Sequence, residues 1–150
     1  MNATIPGIEK LSVEVTQEIH VKASIETTFA ALLEQLGPEN ETPERKMPMT
    51  LEAWPGGRWF RDLGDGSRHL WAHVQAIKKP TLLEFYGPLM MSLPVTSNVQ
   101  YRLTEEGGGT LIKFHHTALG FIPEDYRRGV KRGWTDIHQR AKQRAEAGDR

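Results

Sequence analysis

Apolar and polar residues alternate along the first patterned segment of the chain. Val13, Val15, Ile19 and Val21 share one parity, and the even-numbered positions between them are polar. A period of two places successive side chains on opposite faces of a β-strand. We therefore predict a strand over residues 11–21, with one face buried and the other in water.

The apolar period lengthens immediately after this strand. Ser24 is a candidate N-cap, Gly37 ends the run, and the apolar residues between them recur at helical spacing. They are Ile25, Phe29, Leu32, Leu33 and Leu36. This pattern predicts one short amphipathic helix, and the polar, proline-containing residues 38–48 predict a surface connection after it.

Short apolar runs separated by turn signals fill the middle of the chain. The glycines in "WPGGRW", "GDGS" and "TEEGGGT" predict tight turns, because glycine accepts a positive φ. Consecutive strands joined by such turns lie antiparallel, so the runs predict a meander. We place its strands at residues 50–54, 57–63, 68–77, 82–86, 97–104 and 110–117.

A long C-terminal helix is predicted after Pro123, where the period changes again. Gly129 and Gly133 lie beside its apolar stripe, and each costs the helix up to about 1 kcal/mol relative to alanine. We therefore expect closely packed neighbours at these two glycines. The stripe consists of Tyr126, Val130, Trp134, Ile137, Ala141 and Ala145.

Size and composition exclude several classes of protein. A chain of 150 residues suits one hydrophobic core, so we expect a single domain over 1–150 with mobile ends at 1–10 and 147–150. The absence of cysteine excludes disulfides, thiolate nucleophiles and thiol-bound metals. A formal net charge of zero gives no field that would attract nucleic acid.

The expected location is the cytoplasm. No apolar run approaches the roughly 20 residues that cross a bilayer, so no membrane insertion is expected. The start "MNATIPGIEKLSV" lacks the basic and apolar regions of a secretory signal.

Several loose motifs occur in an order that resembles a known superfamily. They are "VTQEIHVKASIETTFAAL", "WPGGRW", the spacing of Val74, Ile77 and Pro80 before "LLEFYG", then "GGTLIKFHHTALG", and "GW" at Gly133 and Trp134. Together they resemble the START-like, or SRPBCC, helix-grip superfamily, most closely its branch of activator of heat-shock protein 90 ATPase homologues.

The resemblance implies an α+β helix-grip fold. A curved antiparallel sheet of six or seven strands would wrap around the long C-terminal helix, with one short helix after the first strand and an apolar pocket between sheet and helix. Members include lipid carriers, hormone receptors, aromatase/cyclases and co-chaperones, so the resemblance implies no single activity.

A ligand-binding cavity is expected because a strongly curved sheet is rarely filled by its own side chains. Its expected lining combines aromatic rings with a few polar groups that would orient a guest. The lining residues are Trp59, Trp71, His73, Phe85, Tyr101, Phe114, His116, Tyr126, Val130 and Trp134.

His116 has two interpretations. In the resembling branch a histidine often stands near the end of the last strand, and the match falls on His116. It shares parity with Ile112 and Phe114, so their burial would bring it inward. It would then orient a ligand, or it is bonded to a neighbouring group or solvated.

The sequence does not decide which face of residues 68–77 points inward. One parity carries Ala72 and Val74, and the other carries Trp71 and His73. We favour the small apolar set inward because Val74 matches a core position of the resembling family. A β-bulge would mix the two faces.

The segment "GPLMMSLPV", residues 87–95, is apolar for a connection. Leu89, Met90, Met91 and Leu93 would form a gate over the cavity, a homodimer contact or plain core filling.

Three functions remain after these exclusions. We expect binding of a small apolar or amphipathic molecule. The alternatives are a co-chaperone-like interaction module with a chaperone partner, and a cyclase or hydratase that uses a cavity histidine.

No catalytic residue, metal or cofactor is predicted. His69 and His73 lie about 13 Å apart on a strand, which is too far to share a metal. Paired carboxylates and the usual hydrolase, kinase and dehydrogenase motifs are absent from the sequence.

Overall fold

The computed structural model describes residues 7–148. The expected mobility of the ends falls partly on residues 1–6 and 149–150, which lie outside the described residues. The elements in chain order are a 3₁₀ turn Ile8–Lys10, β1 Ser12–Val21, α1 Ile25–Leu36, β2 Thr50–Leu51, β3 Arg58–Gly64, β4 Ser67–Lys78, β5 Leu82–Gly87, β6 Val95–Glu106, β7 Gly109–Gly120 and α2 Glu124–Gly148.

All seven strands form one antiparallel sheet in the order β1-β7-β6-β5-β4-β3-β2. The sheet is curved, α2 lies along it, and α1 packs beside α2. The predicted helix-grip architecture is thereby confirmed. No helix within residues 7–148 is long and apolar enough to span a membrane.

Local sequence explains how the short helix and the tightest hairpin form. The Ser24 hydroxyl accepts the Thr27 N–H at the start of α1, and the Gly37 N–H donates to the Leu33 carbonyl at its end. Between β3 and β4, Asp65 and Gly66 have φ of 52° and 78°, the left-handed values of a two-residue hairpin turn.

A bulge in β4 decides which of its residues face the core. Trp59 pairs with Ala72 whereas the next residue, Phe60, pairs with Leu70, so Trp71 is an extra residue in β4. Trp71 and Ala72 are consequently both buried, although they are neighbours in sequence. The inward set therefore combines members of both parities.

The core lies between the inner face of the sheet and the two helices. Val130, Trp134, Ala141 and Ala145 of α2 are buried against it, as the apolar stripe predicts. The expectation of close packing at Gly129 and Gly133 is wrong. Both are exposed, and a Cβ added at either would meet no atom within 4 Å.

Side chains of α2 also bond the outer edge of β1, opposite the edge that pairs with β7. The Arg127 guanidinium donates to the carbonyls of Lys10 and Ser12, at 2.7 and 2.8 Å. Lys142 and Glu146 bond backbone groups at the opposite end of the strand. These contacts occupy hydrogen-bonding groups that an edge strand would otherwise expose.

Candidate functional site

The predicted lining residues fall into three groups. One group lies beneath α2 and consists of Tyr101, Phe114, His116, Val130 and Trp134. A second consists of Trp59, Trp71 and Phe85 on the inner face of β3, β4 and β5. Of the remaining two, His73 stacks on Tyr86, and Tyr126 is partly buried against both the main core and a smaller cluster.

Aromatic rings fill the space beneath the middle of α2. Phe114 contacts Tyr101, Trp134 and His138, with ring centroids 5.0, 4.7 and 4.4 Å apart. The Trp134 ring stacks on that of His138 at 5.8 Å. Side chains of the protein itself therefore occupy the region where the sequence predicts a ligand.

His116 is held by two side chains within this group. The Trp134 indole N–H donates to His116 Nδ1 at 3.0 Å, and His116 Nε2 lies 3.1 Å from Ser97 Oγ. An indole nitrogen only donates, so the neutral ring carries its proton on Nε2 and donates it to Ser97. Burial, with a smaller contribution from His115, lowers the pKa of His116 from 6.5 to about 4.

His138 is held in the opposite tautomer. Its Nδ1 lies 2.7 Å from Gln17 Oε1, and its Nε2 lies 2.9 Å from the Tyr101 hydroxyl. The Gln17 amide nitrogen donates to Thr135 Oγ1, so its oxygen faces His138 and Nδ1 carries the proton. Burial lowers the pKa of His138 from 6.5 to about 3.

His138 and Gln17 were missed at the sequence level, although both carry a signal. His138 follows Trp134 by four residues, which puts the two side chains on one helix face. Gln17 is the polar member of the apolar parity of β1. A polar residue in phase with an apolar stripe is the pattern that would have identified them.

The second group packs beside an open cleft, which one of its members lines. Trp59 stacks on Phe85 at 4.8 Å, meets Trp71 edge-on at 5.2 Å, and donates its indole N–H to the Leu36 carbonyl. Trp71 also lines the cleft, which has a volume of about 480 Å³. The cleft lies among the connection after α1, strands β3 and β4 and the segment after β5, and it is lined by Thr42, Glu44, Arg45, Met47, Arg61, Leu63, His69, Trp71 and Met90.

Apolar and cationic groups share this lining. Met47 and Trp71 are buried at its base, whereas Leu63 and Met90 are 57% and 52% exposed. The Trp71 indole N–H donates to Nδ1 of His69 at 3.3 Å, which leaves the proton of a neutral ring on Nε2. The cleft can thus hold an apolar body and offer hydrogen-bond donors beside it.

The predicted gate residues divide between core and surface. Leu89 and Met91 are buried, and Met90 and Leu93 are exposed. The Leu89 N–H donates to the Trp71 carbonyl, which ties this segment to the wall of the cleft. Met90 contributes to the cleft itself.

His73 and Tyr126 do not join the aromatic groups. The His73 ring stacks on Tyr86, which is 46% exposed, and so faces outward. Tyr126 packs against the main core and against a smaller cluster that contains Met91 and Val95, and burial raises its pKa to about 12.

A second depression, of about 490 Å³, lies on the outer face of β1, β6 and β7. Its side chains are mainly polar and of mixed charge, including Glu18, Arg102 and Lys113. Within residues 7–148, no group of three histidine or carboxylate side chains could hold a metal ion.

Comparison with known proteins agrees with the architecture. The model of one protein family, described as Activator of Hsp90 ATPase homolog 1-like protein, matches residues 22–146. No curated protein sequence matches the chain.

Solved structures of similar fold include two bacterial proteins and one biosynthetic protein. Protein MLL2253 from Mesorhizobium loti is 21% identical, with a TM-score of 0.68, over 91% of this chain and 99% of that one. An uncharacterised protein from Rhizobium leguminosarum is 20% identical, with a TM-score of 0.69, over 91% and 95% of the two chains. The di-domain ARO/CYC StfQ from the steffimycin biosynthetic pathway is 16% identical, with a TM-score of 0.67, over 93% of this chain and 52% of that one.

Proposed function

We propose that this chain, which belongs to the Activator of Hsp90 ATPase homolog 1-like protein family, binds a small, mostly apolar molecule. The proposed site is the cleft beside Trp71 rather than the space beneath α2. The observation that carries this proposal is an open cleft of about 480 Å³ with Trp71, Met47 and Met90 in its lining. Clefts of this size that combine apolar side chains with a few polar groups are typical small-molecule sites.

The filled interior supports this choice of site. A guest beneath α2 would have to displace Phe114 or Trp134, which pack against each other and against His138. Displacing Trp134 would also leave Nδ1 of His116 without its donor. A guest in the cleft needs no such rearrangement, and it would contact the part of the mostly buried Trp71 that lines the cleft.

Binding is favoured over acid–base catalysis by the state of the buried histidines. His116 and His138 each use both ring nitrogens in hydrogen bonds, and their pKa values of about 4 and about 3 keep them neutral near pH 7. Neither has a free nitrogen to present to a substrate. The likeness to the ARO/CYC protein is therefore one of fold, and it does not support a catalytic role for His116 or His138.

The test is a ligand screen followed by substitutions at the exposed edge of the cleft. Isothermal titration calorimetry would measure binding of fatty alcohols and naphthalene derivatives to the unmodified protein. Leu63→Ser and Met90→Ser should each lower the affinity for a bound molecule by about fivefold to tenfold, because each removes apolar contact area. Both side chains are more than half exposed, so the fold should tolerate the changes.

Leu119→Ser is the matched control, since Leu119 is an exposed strand residue that does not line the cleft. Its affinity should equal that of the unmodified protein. The proposal would be overturned if no member of the screen binds, or if binding is insensitive to Leu63→Ser and Met90→Ser alike.

A further inference from the structure

We propose that the molecule bound in the cleft carries a carboxylate, and that Arg61 and Arg45 bind it. This inference rests on the proposed function and specifies the ligand class. The cleft lining contains two guanidinium groups and only one carboxylate, that of Glu44. The site therefore has one formal positive charge in excess beside an apolar base.

Several arginines of the described chain already have partners. Arg58 is bidentate to Glu52, Arg140 bonds Asp136 and Glu41, and Arg144 contacts Glu34 and Glu39. Arg127 bonds the backbone carbonyls of Lys10, which precedes β1, and of Ser12, which begins it.

The two cleft arginines differ from these. Within residues 7–148, neither the Arg45 nor the Arg61 guanidinium takes part in an ion pair. Both nevertheless line the same concave site. Guanidinium groups match the two oxygens of a carboxylate and bind it in a bidentate manner.

The donors come from three separate segments that the fold brings together. Arg61 of β3 is the cross-strand partner of His69 of β4, and Arg45 comes from the connection after α1. The hydrogen bond from Trp71 keeps the proton of neutral His69 on Nε2, so His69 adds a further donor. An anionic group at this edge would place the rest of the molecule against Trp71, Met47 and Met90.

The site suits a monoanion better than a phosphate ester. Glu44 lies in the same lining and offsets one of the two arginines, and the remaining single positive charge balances a carboxylate. Removing the Glu44 charge should therefore increase the affinity for an anion. A dianionic phosphate would be left with uncompensated negative charge in the partly apolar cleft.

A matched pair of ligands separates charge from shape. Naphthoate and naphthamide have the same ring and nearly the same size, and only the first is an anion near neutral pH. By isothermal titration calorimetry, naphthoate should bind about tenfold more tightly than naphthamide, and added sodium chloride should weaken only naphthoate binding. Naphthyl phosphate should bind less tightly than naphthoate.

Substitutions then assign the charge preference to residues. Arg61→Gln should remove most of the preference for naphthoate, Arg45→Gln should reduce it, and Glu44→Gln should increase it. Naphthamide affinity should stay unchanged in all three. Arg102→Gln is the control, because Arg102 lies on the outer face of the sheet and also takes part in no ion pair of the described residues. Thermal unfolding would verify that each variant is folded.

The outcomes distinguish the two proposals. If neither compound binds and the wider screen is also silent, the proposed function fails. If naphthamide binds as tightly as naphthoate, or Arg61→Gln and Arg45→Gln both keep the preference, the apolar site stands and the carboxylate inference is overturned. Tighter binding of naphthyl phosphate would overturn the choice of a monoanion.

Discussion

At the scale of single residues, two buried histidines give the interior its specificity. Each is fixed in one neutral tautomer, His116 by a donating indole and His138 by an accepting amide oxygen. Buried polar groups are stable only when their partners match them in number and direction. The aromatic packing beneath α2 is therefore held in one arrangement by hydrogen bonds as well as by contact.

The first prediction concerns pH. Both histidines have a folded-state pKa below 6.5, so the unfolded chain binds more protons than the folded one as the pH falls. Their contribution to the free energy of unfolding is fully present above pH 6.5. It is lost progressively as the pH falls toward about 4 for His116 and about 3 for His138. Between about pH 7 and about pH 5, the free energy of unfolding should fall by about 2 kcal/mol for each histidine.

Urea unfolding at the two pH values measures this loss. His73→Gln is the control, because it removes a histidine that stacks on the half-exposed Tyr86 and bonds neither His116 nor His138. A free energy of unfolding that stays level over this interval would show that folding does not lower the pKa of either buried histidine.

The second prediction removes one hydroxyl. Tyr101→Phe leaves Nε2 of His138 buried without a donor, which should destabilise the protein by about 1–3 kcal/mol. Tyr86→Phe, at a site 46% exposed, should change stability by less than about 0.5 kcal/mol. Chemical denaturation of both variants gives the comparison, and equal stabilities would contradict a specific role for the Tyr101 hydroxyl.

At the scale of elements, α2 combines a core-facing stripe with an exposed face that has room for larger residues. The third prediction follows from Gly129 and Gly133, which are exposed and meet nothing near an added Cβ. Gly133→Ala and Gly129→Ala should each stabilise the protein by up to about 1 kcal/mol, through helix propensity and reduced freedom of the unfolded chain. Thermal denaturation should show a higher Tm for each, and a lower Tm would mean that these glycines serve a purpose other than helix formation.

The order and type of the elements were predictable, because each buries one face and the apolar period records it. β6 and β7 extend past their predicted ends, where Glu105 and Glu106 carry no apolar signal although their backbones remain paired. β2 is shorter than predicted, since Glu52 leaves the strand and its carboxylate bonds Arg58. Strand ends are thus decided by backbone pairing that side-chain patterns do not report.

The cleft was less predictable than the fold. Trp71 and Met90 were expected near a ligand, but the interior bulge that turns Trp71 inward depends on pairing between β3 and β4. Arg45, Arg61 and His69 occupy a connection and polar strand positions, where solvent exposure is the ordinary expectation. Only the folded sheet brings these segments together around one opening.

At the scale of the whole molecule, side chains of α2 bond the free edge of β1. The fourth prediction compares adjacent arginines of α2. Arg127→Ala loses two bonds to backbone carbonyls and should destabilise the protein by about 1–2 kcal/mol. Arg128→Ala loses only an exposed pair with Asp125 and should have almost no effect.

Hydrogen exchange adds a second measure of this edge. Amides of β1 near Ser12 should exchange faster in Arg127→Ala than in Arg128→Ala, because the first variant loosens the end of the strand. Equal exchange in the two variants would show that Arg127 does not hold the edge in solution.

The position of β1 also bears on how the chain is made. This strand bonds on one side to β7 and is covered on the other by α2, the two elements that leave the ribosome after all the other strands. Until both have emerged, β1 has no permanent partner on either side. Nascent chains therefore carry an unpaired β-forming segment through most of translation. We expect aggregation through this segment to be more frequent during synthesis than in the folded protein.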